Sequence, residues 1–244
     1  MERFGASYNM LRIKSIVVLA TMLMATQTSS AQSTLFNIPS TDVVTERKTY
    51  VEFDFISHLR SHSNGGFQTY VPRVVYGVAK GLEIGANVSF TDALAPDQPI
   101  EFQPNFKYQF YQNEDNGMAA AAGGILYTPI ANRAGVDTFG LLYTTVSKKL
   151  KGDYGPRLTG GGYGLVGRAN GSGNEGGAIV GYEQPLHPRV SFVADWFSGK
   201  NRFGYVTPGL AFAVSSRSAL FTGYSIGNVG RGNNALFIYY GITF

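Results

Sequence analysis

From residue 100 to residue 110 the chain alternates without fault. Ile100, Phe102, Pro104, Phe106, Tyr108 and Phe110 are apolar, while Glu101, Gln103, Asn105, Lys107 and Gln109 are charged or amide-bearing. A β-strand turns successive side chains to opposite faces, so this spacing makes one face greasy and the other polar. Residues 82–90 repeat the design, with Leu82, Ile84, Ala86, Val88 and Phe90 set against Glu83, Gly85, Asn87 and Ser89. Beyond residue 31 no segment keeps a 3.6-residue apolar period for long. Charged residues make up only 15% of the chain, against about 25% in an ordinary soluble domain. Mean hydropathy is nevertheless near zero, which excludes a bundle of transmembrane helices. Cysteine is absent, so disulfides, thiolate metal sites and cysteine nucleophiles are excluded.

Counting alternating segments predicts about twelve strands, at 48–58, 67–78, 82–91, 100–111, 117–128, 138–149, 156–166, 176–185, 189–198, 203–214, 219–227 and 234–244. Each is close to the ~9–11 residues that a tilted strand needs to cross a bilayer. Connections alternate between tight ones, at 79–81, 186–188 and 215–218, and longer ones, at 92–98, 130–136 and 167–175. The expected fold is all-β: a transmembrane antiparallel up-and-down barrel of about twelve strands, with the tight turns periplasmic and the long loops outside. Such a sheet must close, because an open edge in lipid strands its backbone polar groups. Two strands declare no face, since 118–124 and 160–164 consist almost wholly of small residues.

The N-terminus reads as an export signal. Arg12 and Lys14 precede an apolar run from Ile16 to Ala25, followed by a small-residue stretch ending at Ala31. The run is about ten residues, half the ~20 needed for a spanning helix. Cleavage is therefore expected after Ala31, giving a signal peptide at 1–31, an N-terminal segment at 32–46 and a barrel at 47–244. Residues 32–46 carry Leu35, Phe36, Ile38 and Pro39, and the sequence leaves open a periplasmic tail or a segment tucked into the lumen. The formal charge of +4 overstates the basic character of the remainder. Setting aside Arg3, Arg12, Lys14 and Glu2 leaves 17 basic and 15 acidic residues, no footprint for nucleic acid.

The other terminus is as informative. Leu236, Ile238, Tyr240, Ile242 and Phe244 alternate to the last residue, which resembles the C-terminal signal read by the outer-membrane barrel assembly machinery. Together with the leader this places the chain in the outer membrane of a Gram-negative cell, with its lipids and that machinery as partners. A cationic side chain facing lipid at mid-membrane costs about 2–4 kcal/mol. Glu52, Asp54, Arg73, Glu83, Glu101, Lys107, Glu183 and Asp195 are accordingly assigned to the lumen. Twelve strands ~4.8 Å apart and tilted ~40° give a backbone radius of roughly 12 Å. A constricted, hydrated bore is expected, with weak cation preference because acids outnumber bases six to two in that set. Trp196 and tyrosines near strand ends are expected to form interfacial girdles.

No cofactor, metal or catalytic site is expected. Gly162, Gly164 and Gly167 match the spacing G-x-G-x-x-G, but no βαβ unit surrounds them, so their place is within a strand. His58, His62 and His187 fall on opposite sides of the membrane with no third ligand. A barrel hydrolase would need His58 or His62 beside Ser57, Ser61 or Ser63.

Residues 181–186 (Gly-Tyr-Glu-Gln-Pro-Leu), 194–201 (Ala-Asp-Trp-Phe-Ser-Gly-Lys-Asn) and 76–85 resemble phrases of the outer-membrane family named for the meta-pathway of phenol degradation. The resemblance spans the barrel from about residue 47 onward. It implies a barrel and the uptake of aromatic or other hydrophobic compounds, and it carries over no substrate-binding residue. The expectation is a narrow passive channel or uptake protein for a small-molecule solute, not an enzyme. The alternatives are a structural or surface-binding barrel without transport, and a barrel hydrolase.

Overall fold

The protein is described here by a computed structural model covering residues 34–93, 98–133, 136–152, 154–167, 173–230 and 232–244. The leader at 1–31 lies outside the described residues. Twelve strands follow in order: β1 (Thr49–His58), β2 (Phe67–Ala79), β3 (Leu82–Ala93), β4 (Ile100–Asn113), β5 (Met118–Ala131), β6 (Phe139–Lys149), β7 (Arg157–Gly167), β8 (Gly176–His187), β9 (Val190–Phe197), β10 (Tyr205–Ala213), β11 (Ser218–Gly227) and β12 (Ala235–Thr243). Each pairs antiparallel with its sequence neighbours, and β12 pairs with β1 to close the ring. Closure leaves no sheet edge, as a bilayer requires. Apart from the connection at 150–156, the strands are joined by short turns at one end of the barrel and by longer loops at the other.

Alternation sets the faces. Phe53, Ile84, Phe106, Leu142, Val180 and Ile238 project outward and are exposed, while Glu52, Glu83, Lys107, Leu141, Ile179 and Phe237 point inward and are buried. So continuous an apolar exterior suits lipid and not water. The register pauses in β4, where a bulge between Gln109 and Tyr111 leaves both Phe110 and Tyr111 exposed. Trp196, Tyr224 and Phe90 lie outward near the long-loop end, and Tyr76, Tyr108 and Tyr240 near the short-turn end. The C-terminal residues follow the same rule. Ile238, Tyr240 and Phe244 are exposed, Leu236 and Ile242 half-buried, and the Phe244 N–H donates to the Thr49 carbonyl at 2.8 Å.

The small-residue strands acquire faces in the fold. A Cβ at Gly160 or Gly164 would meet nothing within 4 Å, whereas Thr159 and Tyr163 between and beside them are buried inward. Lipid contact on the outside predicts a clean outcome for Phe106, midway along β4. Phe106→Arg is expected to cost about 2–4 kcal/mol, read as a lowered urea midpoint in vesicles. An unchanged midpoint would mean that this face does not meet hydrocarbon.

Candidate functional site

The lumen is where the inward side chains converge, and residues 34–44 lie inside it, with Thr45 and Glu46 exposed at its short-turn end. The segment starts at mid-barrel, where Arg73 Nη1 donates to Thr34 Oγ1 at 3.3 Å. It reverses in a tight turn closed by a Thr34–Pro39 bridge and by the Leu35 N–H donating to the Ile38 carbonyl at 2.9 Å. At this turn the N–H groups of Phe36, Asn37 and Ile38 all donate to one oxygen, Asp195 Oδ2, at 2.8, 2.7 and 3.2 Å. Successive N–H groups converging on one anion form a concave anion nest, here made by the segment and filled by the wall. The Asn37 amide also donates to Thr207 Oγ1.

From the turn the segment runs back toward the short-turn end. Thr41 Oγ1 meets Ser147 Oγ at 2.6 Å, and the Gln109 amide donates to the Thr41 carbonyl at 2.8 Å. Lys107 Nζ donates to the Asp42 carbonyl at 2.5 Å, and Arg157 Nη1 pairs with Asp42 Oδ2 at 2.6 Å. The Val44 N–H donates to Glu83 Oε2 at 2.6 Å. Glu46 then bridges to Gly77 at the end of β2 before β1 begins. A cavity of about 460 Å³ beside this exit is lined by Asp42, Val44, Glu46, Lys80, Gln109 and Gln112 among others.

Apolar contacts hold the turn as firmly as polar ones. Leu35, Phe36 and Ile38 are at most 2% exposed. Phe36 packs on Phe237 with ring centroids 4.7 Å apart and on Phe221 at 6.5 Å. Leu35 and Ile38 sit against Gly181, where an added Cβ would come within 2.6 Å and 2.9 Å of their methyl groups. Around them Tyr127, Phe139, Leu141, Tyr143, Tyr163 and Phe197 complete one packed core. The expected open bore is therefore corrected: at mid-barrel the plug segment and inward aromatic side chains pack together in the lumen, and a cavity remains beside the plug's exit.

The structure places every charge assigned to the lumen from sequence on the inner wall, with partners on the wall, on the plug or on a loop. Glu52 and Asp54 flank Arg73, at 3.3 and 2.9 Å, with the Tyr50 hydroxyl donating to Glu52. Glu83 and Lys107 pair at 3.3 Å. Glu183 accepts from Arg157 Nη2 at 2.8 Å, Asp195 holds the plug, and Glu101 pairs with Arg202 at 2.8 Å. Arg157 and Arg202 escaped the sequence reading. Arg157 opens the glycine-rich strand whose faces were illegible, and Arg202 lies in the loop between β9 and β10. Counting them, six wall acids meet three wall bases and one loop arginine, so the basis for a cation preference in an open bore is much reduced.

The loop at 198–204 covers the long-loop end of the core. Its Ser198 carbonyl accepts from the Tyr163 hydroxyl at 2.6 Å, and the Asn228 amide donates to the Phe197 and Gly199 carbonyls, each at 2.8 Å. Gly199 takes φ +96°, a backbone conformation that a side chain would strain. Burial works against the Arg202 charge, but the hydrogen bonds and charge of Glu101 more than offset it, and the guanidinium pKa is raised.

His58 Nδ1 contacts the Asn234 carbonyl and its ring stacks on Phe67, while Ser61 Oγ meets Ser63 Oγ at 3.0 Å. Among the described residues no group of three or more His, Asp or Glu is placed to hold a metal ion.

No family model and no curated protein matches the chain. Solved structures do. The KdgM porin superposes with a TM-score of 0.53 at 8% identity, over 80% of this chain and 98% of that one. The KdgM porin in complex with disordered oligogalacturonate gives 0.51 at 9%, over 81% and 98%. The outer membrane phospholipase A from Escherichia coli gives 0.46 at 11%, over 88% and 97%. The porin likeness is one of fold. It concerns the closed antiparallel barrel and says nothing of a solute.

Proposed function

We propose that the chain is exported by a leader cleaved after Ala31, assembles into the outer membrane through its C-terminal strand, and serves as an uptake barrel for small molecules whose resting lumen is shut by residues 34–44. The observation that carries this reading is the nature of the closure. The lumen is closed at mid-barrel by a segment of the chain itself, held non-covalently by the Asp195 carboxylate and by apolar packing against wall side chains. Such a closure is removable without disturbing any strand pairing. The wall around it carries both aromatic rings (Tyr127, Phe139, Tyr163, Phe237) and charges (Glu52, Asp54, Arg73, Glu83, Lys107). That mixture suits small aromatic compounds bearing a polar group, in keeping with the family resemblance.

Gly181 supplies a test that leaves every charge in place. Gly181→Leu puts a side chain where Leu35 and Ile38 now lie. Overpacking of this kind costs about 1–3 kcal/mol, here borne by the plugged state. Discrete openings in planar bilayers, with phenolic solutes entering variant-loaded vesicles faster than wild-type ones, are expected. The filled lumen favours a second reading, a structural barrel without transport. Silence of both proteins, with hydrogen exchange showing the variant's residues 36–38 freed, would establish that reading instead.

A further inference from the structure

The loop between β9 and β10 inserts a cation into a receptor built by the wall. Arg202 donates through Nη1 to Glu101 Oε1 and through Nη2 to Glu101 Oε2, both at 2.8 Å. This is the paired fork geometry that a planar cation makes with a carboxylate. The guanidinium carbon lies 5.2 Å from the Tyr127 ring centroid, 5.4 Å from that of Phe139 and 5.5 Å from that of Phe203. Tyr127 and Phe139 are themselves stacked, 4.7 Å apart and 6° from parallel. Ring faces at these distances attract cations. Carboxylate and two rings stand on β4, β5 and β6, three adjacent strands, whereas the cation rides on a loop. The receptor is rigid, and its guest is tethered.

Exposure divides the same way. The Glu101 side chain is 5% exposed and the Arg202 side chain 35%. With Arg202 withdrawn, Glu101 would keep the Gln103 amide at 3.2 Å but lose its counter-charge, a costly state for a buried carboxylate. Exchange for a second cation avoids that cost, because the site's charge is the same before and after. A neutral solute has no such route.

We propose that Glu101, Tyr127 and Phe139 form a recognition site at the long-loop end for solutes bearing a guanidinium or amidinium group, with Arg202 as the tethered occupant that such a solute displaces. The site goes beyond the uptake reading, since it binds whether or not the lumen conducts. Displacement would free Arg202 from the wall and loosen the loop that covers the core.

The test is calorimetric titration of the full refolded chain in detergent with methylguanidinium. Arg202→Ala is expected to bind it saturably at one site, roughly tenfold more tightly than wild type, which must first release its own arginine. Adding Glu101→Gln to that variant should abolish binding. Tetramethylammonium, which has no N–H to give Glu101, should bind at least tenfold more weakly. No saturable binding to folded Arg202→Ala, equal binding of the two cations, or binding that survives Glu101→Gln would each overturn the proposal. Should Arg202→Ala fail to fold, its refolding yield becomes the readout. A higher yield with methylguanidinium than with equal sodium chloride supports the site, and equal yields overturn it.

Discussion

Asp195→Ala is expected to free the plug while leaving the barrel standing. One oxygen of Asp195 accepts three backbone N–H groups from residues 36–38, and the carboxylate is 2% exposed. Two effects oppose each other when it is removed. Losing a buried charge relieves desolvation, which favours the variant. Against that, three N–H groups lose their acceptor, and each buried donor left unsatisfied costs about 1–3 kcal/mol. The donors win while the plug stays in. The chain escapes their cost by leaving the lumen, where water takes over as acceptor. With the Asn37–Thr207 bond and the Phe36 packing still holding, a net shift of about 2–4 kcal/mol is expected, or roughly 30- to 1,000-fold in the unplugged population. Hydrogen exchange at residues 36–38 should accelerate by that factor, while amides of β8, β9 and β10 keep their protection. Asp195→Asn should fall between, since a neutral acceptor makes hydrogen bonds about half as strong. Wild-type protection at residues 36–38 in Asp195→Ala would show that apolar packing alone holds the turn.

The strands were legible because two separate constraints wrote them. Strand geometry imposes the period of two, and lipid forbids charge on one face, so residues 100–110 could be read almost atom by atom. The lumen charges were legible for the same reason. What fails is the inference from polar-inward to water-filled. In the long-loop half of β6 the inward residues are Phe139, Leu141 and Tyr143, and the outward ones along the strand include Leu142 and Val146. Both faces are greasy there, because the inner one packs against other apolar side chains and not against water. The plug itself was ambiguous. Leu35, Phe36 and Ile38 among Ser, Thr and Asn suit a tail as well as a core, and their partner Asp195 lies 157 to 159 residues away. The bare wall at Gly181 was visible as a glycine, but nothing local says which side chain fills the space. Arg202 was invisible for a different reason: a loop residue carries no facing constraint, so only the fold brings it over Glu101.

Lys107→Met is expected to destabilise the barrel by about 3–5 kcal/mol, the cost of breaking a buried ion pair from one side. Lys107 is 2% exposed and Glu83 1%. The ammonium pairs with Glu83 at 3.3 Å and donates to the Asp42 carbonyl. Glu83 in turn accepts the Val44 N–H, so the pair joins β3 and β4 to the plug. Methionine fills most of the lysine's volume, which isolates the electrostatic loss from a packing loss. The loss depends on dryness. In a hydrated bore Glu83 would find water at once, and the substitution would cost no more than the ~0–1 kcal/mol of an exposed pair. Under a packed plug Glu83 keeps its charge without its partner, and the full penalty falls on the folded state. Adding Glu83→Gln removes the stranded charge and leaves an acceptor for Val44, so the double variant should recover most of the stability. Urea unfolding in vesicles reads both numbers. A small loss in Lys107→Met, with no recovery in the double variant, would mean that water reaches the short-turn half of the lumen with the plug in place. A large loss that the second substitution repairs would mean that the plug seals the barrel along its length and not only at the Asp195 turn.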